Sequence, residues 1–171
     1  PTRGLDRRWC PPAVPAIPES MRQHQALLRV VGLLMQVPGF MALLSLPIGI
    51  LFGEYYAIGP FLVTAVISLG MGQGLYRRFR QEKALRFRQT LLIVALSWAI
   101  LFALGAIPYY LIAAHLAQLS PAPAPVLAFQ SLWNALFEAV SGYTTTGLTR
   151  ARDADRLPHC LQWWRSFTQW I

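Results

Sequence analysis

Long apolar runs alternate with short polar blocks along this chain. Residues 30–53 contain no Asp, Glu, Lys or Arg, and neither do residues 55–76 or 89–137. About 20 apolar residues in a helix cross the hydrocarbon core of a bilayer, so 30–53, 55–76 and 89–116 are each long enough to span it, even with tilt. Pro38 and Pro47 fall in the first run. A membrane helix tolerates such prolines, usually with a kink. Tyr55 and Tyr56 at one end of the second run and Tyr76 at the other fit interfacial aromatic belts. Gly70, Gly72 and Gly74 offer either a close-packing face or a loosened helix end. Gly105-Ala106-Ile107-Pro108 predicts a break in the third span, with the helix ending at Tyr109 or Tyr110 and restarting briefly.

A different pattern follows. Residues 120–125 (Ser-Pro-Ala-Pro-Ala-Pro) read as an extended linker. Phe129, Leu132, Trp133, Leu136, Phe137 and Val140 then recur as one stripe of an amphipathic helix, with Gln130, Ser131, Asn134, Glu138 and Ser141 largely off it. Such a helix is about 20 Å long, too short to cross, so it either dips in and returns or lies on the surface. Gly142-Tyr143-Thr144-Thr145-Thr146-Gly147-Leu148-Thr149 brings a Gly stop, a β-branched run and a second Gly. Non-helical backbone at membrane depth survives only where protein or a water-filled cavity satisfies it. A three-Thr run can point consecutive carbonyls one way, with Gly supplying a φ that other residues resist. Such a row can replace the water shell of a cation, and the negative end of the preceding helix dipole favours one there. This predicts a re-entrant pore helix followed by a selectivity filter.

Composition agrees with a bilayer setting. The chain has 171 residues, 55% of them hydrophobic and 13% charged, where soluble domains average about 25% charged. The net charge of +8 would fit a nucleic-acid-binding surface, but the basic residues sit in short blocks between apolar runs. Arg3, Arg7, Arg8, Arg22 and Arg29 precede the first span, and Arg77, Arg78, Arg80, Lys83, Arg86 and Arg88 separate the second from the third. The loop between spans one and two has no Lys or Arg, nor has the linker after span three until Arg150. Short basic loops stay cytoplasmic, so the N-terminus and the second loop are placed inside and Leu119 outside. Residues 1–21 read as a disordered, proline-rich tail, with Met21 near the natural start. Cys10 and Cys160 would lie on opposite sides of the membrane, which argues against a disulfide. No metal-ligand cluster, paired carboxylates or nucleophile–base pair is visible in the spans, so an enzyme is disfavoured.

The stretch from Asn134 to Thr149, with Leu157-Pro158-His159 and Trp164-Arg165-Ser166-Phe167-Thr168-Gln169-Trp170-Ile171 after it, resembles the first pore loop of the TrkH/KtrB (TrkG-like) bacterial potassium uptake proteins. Leu91-Leu92-Ile93-Val94, Trp98 and Gly105-Ala106-Ile107-Pro108 resemble that family's first outer helix, and Arg29-Val30-Val31-Gly32-Leu33-Leu34 its extreme N-terminus. The resemblance implies an all-α integral membrane fold: two leading transmembrane helices, then outer helix, re-entrant pore helix with filter loop, and the start of an inner helix, the first of four pore repeats. Residues 22–88 would hold the leading helices and basic cytoplasmic loop, and residues 89–171 a truncated first repeat, so the chain reads as an N-terminal fragment. Potassium, the transported ion, would be held by carbonyls of Thr144, Thr145, Thr146 and Gly147, with Thr145 and Thr146 foremost. The lone Gly departs from a Gly-Tyr-Gly channel filter, which bears on potassium over sodium discrimination. The resemblance further implies the bacterial inner membrane, the three remaining repeats, a homodimer and a cytosolic nucleotide-binding (TrkA/KtrA-like) regulatory subunit.

Several residues have plainer readings. Glu138 either caps the outer mouth in solvent or pairs with Arg165, in a structural role. The basic loop contacts anionic lipid or, less simply, a cytosolic regulator. Trp163, Trp164 and Trp170 read as interfacial anchors, and His115 as interfacial. The alternative to a pore is a non-conducting membrane scaffold or assembly module, with residues 129–149 lying flat on the surface.

Overall fold

The computed structural model of the protein describes residues 19–79, 87–119 and 124–170. Helix α1 (Glu19–Leu34) and helix α2 (Gln36–Leu51) are separated only by Met35, itself near helical geometry. The seam falls there because Pro38 has no N–H to offer the Leu34 carbonyl. Pro47 lies inside α2 without ending it. Together they make the first apolar span, Leu27–Leu51. Gly53, at φ +70°, turns the chain into a 3-10 turn, Tyr55–Ala57, and helix α3, Ile58–Arg78. Helix α4 runs from Phe87 to Leu116. The three spans Leu27–Leu51, Tyr55–Arg78 and Thr90–Leu116 are long and apolar enough to cross a bilayer, and no strand occurs among the described residues. This is an all-α integral membrane fold.

Helix α4 corrects one expectation. It continues through Gly105 and Pro108 with no break. Without water to satisfy freed backbone groups, a membrane helix keeps its ladder and neighbours supply what proline removes. Pro108 leaves the Leu104 carbonyl without its helical N–H, and at the next residue the Gly105 carbonyl accepts a hydrogen bond from Trp164 Nε1 of a neighbouring helix at 3.1 Å. Gly105 also makes room for a neighbour, since a Cβ there would meet Tyr143 Cε2 at 2.5 Å.

The small residues of the leading helices serve the same purpose. A Cβ on Gly32 would stand 2.8 Å from the Gly72 carbonyl, and one on Gly72 would stand 2.7 Å from that of Gly32. Close backbone approach of this kind drives helix pairing where lipid removes the hydrophobic incentive. Of the three glycines read as a packing face, Gly72 alone does this, because Gly70 and Gly74 face open space. Buried Ser45 and Thr64 satisfy themselves on the Met41 and Pro60 carbonyls, at 2.8 and 2.9 Å.

Three shorter α-helices follow among the described residues: α5 (Ala124–Leu127), α6 (Leu132–Tyr143) and α7 (His159–Thr168). The linker expectation is revised at its end, since Ala124 and Pro125 open α5 rather than extend. Its remainder, 120–123, lies outside the described residues. So do residues 1–18 of the expected tail, whose last part, from Glu19, is helical, and residues 80–86 of the basic loop. The main core gathers Phe61, Tyr109, Ile112, Phe129 and Trp164 from α3, α4, α7 and the 3-10 turn Ala128–Gln130.

Candidate functional site

Helix α6 does not bury the face that its periodicity suggests. Ala135, Glu138, Ala139, Ser141, Gly142 and Tyr143 are buried, whereas Leu132 and Trp133, on the apolar stripe, are 60% and 77% exposed. Phe137 is exposed as well. Phe129 of the stripe precedes the helix, in the 3-10 turn. The reason is the solvent: against lipid or further protein, large apolar side chains face outward and small ones let helices touch. Gly142 is such a contact, for a Cβ on it would overlap the Thr168 hydroxyl.

Tyr143 fixes the depth at which α6 ends. Its ring fills the Gly105 notch of α4, and its hydroxyl approaches Met41 Sδ of α2 at 4.0 Å. Gly105 precedes the end of α4 at Leu116, and Met41 precedes the end of α2 at Leu51, by about 15 Å in each case at the rise of an α-helix. The Thr-rich loop therefore leaves α6 well inside the thickness of the bundle. Trp164 of α7 reaches the same Gly105 level. It is wholly buried and packs on Phe61 at 5.5 Å between ring centroids. That corrects its reading as an interfacial anchor; Trp163 is partly exposed and Trp170 exposed.

The loop opens with a tight cap. Thr145 N–H donates to the Gly142 carbonyl at 2.9 Å and Thr146 N–H to that of Ser141 at 3.1 Å, the paired bonds of a Schellman motif. That motif puts its turning residue in the left-handed region, and here the residue is Thr145, at φ +56°. Glycine or asparagine normally sits there, and a β-branched residue is strained. Gly147 has φ +73°, as its type allows. Hydroxyls bind the turn to the helix: Thr144 Oγ1 donates to the Val140 carbonyl at 2.7 Å and lies 2.9 Å from Thr146 Oγ1. Ser141 Oγ donates to the Leu148 carbonyl at 2.6 Å.

The four candidate residues are thus together but not equivalent. No described donor reaches the carbonyl oxygens of Thr144, Thr145 or Thr146. The Gly147 carbonyl accepts Arg165 Nη2 at 2.7 Å. Behind the loop, fully buried Glu138 receives Thr149 Oγ1 and the Arg150 N–H on Oε2, both at 3.1 Å. Arg165 Nε lies 3.0 Å from Glu138 Oε1, an ionic contact whose N–H misses hydrogen-bond alignment. Of the two readings of Glu138, pairing with Arg165 is the one realised. Removing one partner of such a buried pair costs about 3–5 kcal/mol.

Glu54 was not anticipated at all. It reaches from the turn before α3 to the start of α7, accepting the backbone N–H groups of His159 and Cys160 at 2.8 Å each. It also lies 3.3 Å from His159 Nδ1, on an imidazole stacked flat against Phe52 with centroids 4.2 Å apart. Burial works against the Glu54 charge, yet the hydrogen bonds from Cys160 and His159 prevail and its pKa falls below the usual 4.5. The sequence did carry a signal: Glu54 is the one charged residue between Arg29 and Arg77. Cys160 is a free, buried thiol, and Cys10 lies outside the described residues. His115 stacks on Tyr56 at 6.4 Å between centroids. Among the described residues, no three His, Cys, Asp or Glu side chains converge on a metal site.

Comparison with known proteins matches this architecture to one family. The family described as TrkH, cation transport protein, matches residues 60–171. The Trk system potassium uptake protein TrkH of Escherichia coli K12 is 32% identical over 158 residues, covering 86% of this chain and 28% of that protein. Its namesake in Halomonas elongata is 34% identical over 148 residues, with 85% and 27% covered. An uncharacterized cation transporter of Methanocaldococcus jannaschii is 29% identical over 147 residues, with 86% and 28% covered. The chain thus spans less than a third of the length of these relatives. With its three apolar spans and a match over more than half its length, the chain belongs to the TrkH cation transport protein family.

Proposed function

We propose that this chain forms the two leading helices (residues 22–88) and the first pore repeat (residues 89–171) of a potassium uptake protein. In this reading α4 is the outer helix, α6 a re-entrant pore helix, residues 144–147 one quarter of the selectivity filter and α7 the start of the inner helix. The ion is held by backbone carbonyls of Thr144, Thr145, Thr146 and Gly147, with Gly147 also supplying a left-handed turn. The single observation that carries the reading is the depth of Tyr143, which ends α6 beside Gly105 and Met41 instead of at the bundle end. A short helix halted there, with its C-terminal dipole aimed at unpaired carbonyls, is a place for a partly dehydrated cation. Its partners are three further repeats, a second copy and a cytosolic nucleotide-binding regulatory subunit, in a bacterial inner membrane with the N-terminus cytoplasmic, as the basic loops require.

The test is potassium uptake by the full-length protein in cells lacking other uptake systems. Gly147→Ser puts a side chain at φ +73° and is expected to lower uptake and the potassium-to-sodium ratio at unchanged membrane level. Wild-type uptake and ratio in that variant would remove the filter assignment.

A further inference from the structure

We infer that the Arg77–Arg78 end of α3 binds an anionic phospholipid, its phosphate held by the two guanidinium groups and an acyl chain lying along the exposed face of the helix. The inference goes beyond the pore reading and does not depend on the filter. Three observations carry it. First, the two charges are not neutralised. Arg77 and Arg78 are exposed, and no carboxylate among the described residues pairs with either. The negative end of the α3 dipole amounts to about half a charge, so a cationic surplus remains. Secondly, neutral groups hold the arginines in place. Gln73, its amide oxygen turned toward Arg77, accepts Nε and Nη2 at 2.9 and 3.2 Å, which leaves the remaining guanidinium donors for a phosphate. Arg78 stands over the Phe79 ring, its Cζ 5.8 Å from the centroid. Beside them Tyr76 carries Arg29 of α1 over its own ring, at 4.8 Å, and so brings a third cationic group to the same end. Thirdly, an apolar face of matching length continues from the arginines. Ile67, Gly70, Met71 and Gly74 are exposed, and a Cβ on Gly70 or Gly74 would meet nothing within 4 Å. From Arg77 back to Ile67 the helix rises about 15 Å, half of a hydrocarbon core of about 30 Å.

Charge complementarity and depth select the occupant. Free phosphate would meet the arginines and leave the apolar face unused, and an acidic protein segment would engage them from the water side only. A zwitterionic headgroup brings its own ammonium, which opposes the attraction, whereas phosphatidylglycerol carries a net negative charge on a diacyl tail. In the orientation proposed above, this end lies at the cytoplasmic leaflet, whose anionic lipids attract basic residues next to a membrane helix.

The test offers the purified full-length protein equal phosphatidylglycerol and phosphatidylcholine in neutral detergent and identifies the first lipid retained by native mass spectrometry. The double variant Arg77→Gln with Arg78→Gln is expected to lower the preference for phosphatidylglycerol at least about fivefold, the factor that one arginine near an anionic surface contributes. A wild-type preference in that variant would overturn the inference. If the double variant fails to accumulate, Gly70→Leu with Gly74→Leu fills the exposed face and leaves both charges. Weaker retention of phosphatidylglycerol then supports the inference, and unchanged retention overturns it. Displacement of the lipid by inorganic phosphate would reduce the site to one for a simple anion and overturn it too. Reduced potassium uptake in the arginine variant, alongside an undiminished lipid preference, would assign the arginines to a cytosolic protein instead.

Discussion

The Glu54 carboxylate caps helix α7 at Cys160, with Oε2 accepting the Cys160 N–H at 2.8 Å while Oε1 takes that of His159 at the same distance. Pro158, the residue in the cap position, has no side-chain group to offer, so the first turn of α7 depends on a residue from the turn before α3. Helix N-termini welcome such carboxylates, because their free N–H groups and dipole are both unsatisfied.

Glu54→Ala should therefore destabilise the protein by about 2 kcal/mol, the scale of a lost cap with charged hydrogen bonds. Glu54→Gln should cost less, since its carbonyl oxygen can still accept one N–H. Thermal unfolding of the purified protein in detergent, followed by tryptophan fluorescence, measures both.

The same cap makes stability depend on acid. The Glu54 pKa is lowered in the folded protein, so its contribution is complete above the unfolded value of 4.5 and disappears as the pH falls through the lower, folded one. Between about pH 6 and about pH 3, Glu54→Gln should lose less of its thermal midpoint than the wild type does. Parallel curves for the two proteins would count against a charged cap.

Gly105 and Gly142 are sockets, for Tyr143 and Thr168 respectively. Gly105→Ala and Gly142→Ala should each cost about 1–3 kcal/mol by overpacking. Gly59→Ala and Gly74→Ala, where a Cβ meets nothing within 4 Å, should not destabilise. The contrast, read by unfolding midpoint, separates packing from helix propensity.

Thr145 sits at φ +56°, a conformation that costs a non-glycine residue about 1–2 kcal/mol. Thr145→Gly should raise the unfolding midpoint while reducing potassium uptake, if the strain holds the loop in its working shape. A midpoint that falls would show that the threonine side chain contributes more than the strain costs.

Much of this fold was legible because its strongest signals are compositional. Charge-free runs longer than a bilayer gave the three spans, and the Gly-Tyr-Thr-Thr-Thr-Gly string marked where helix gives way to loop. The pairing of Glu138 with Arg165 was one of two readings. What escaped came from rules that invert in lipid. The stripe Leu132, Trp133 and Phe137 reads as a buried face under soluble-protein logic, but α6 buries Ala135, Ala139 and Gly142. Gly105 and Pro108 read as a break, though the helix runs on. Long-range contacts were invisible for another reason: neither Glu54 meeting Cys160 nor Trp164 meeting Gly105 leaves a periodic trace. The strain at Thr145 was hidden because the Schellman position is fixed by where α6 stops, and Gly147 was the more obvious candidate for a left-handed turn.

The fit of Tyr143 into Gly105 also constrains how this sequence can diverge. Neither partner can drift alone, since a larger residue at 105 needs a smaller ring at 143, and a smaller ring leaves an unfilled notch. Across diverging sequences the two positions are expected to change as a couple or not at all, while their lipid-facing neighbours vary freely.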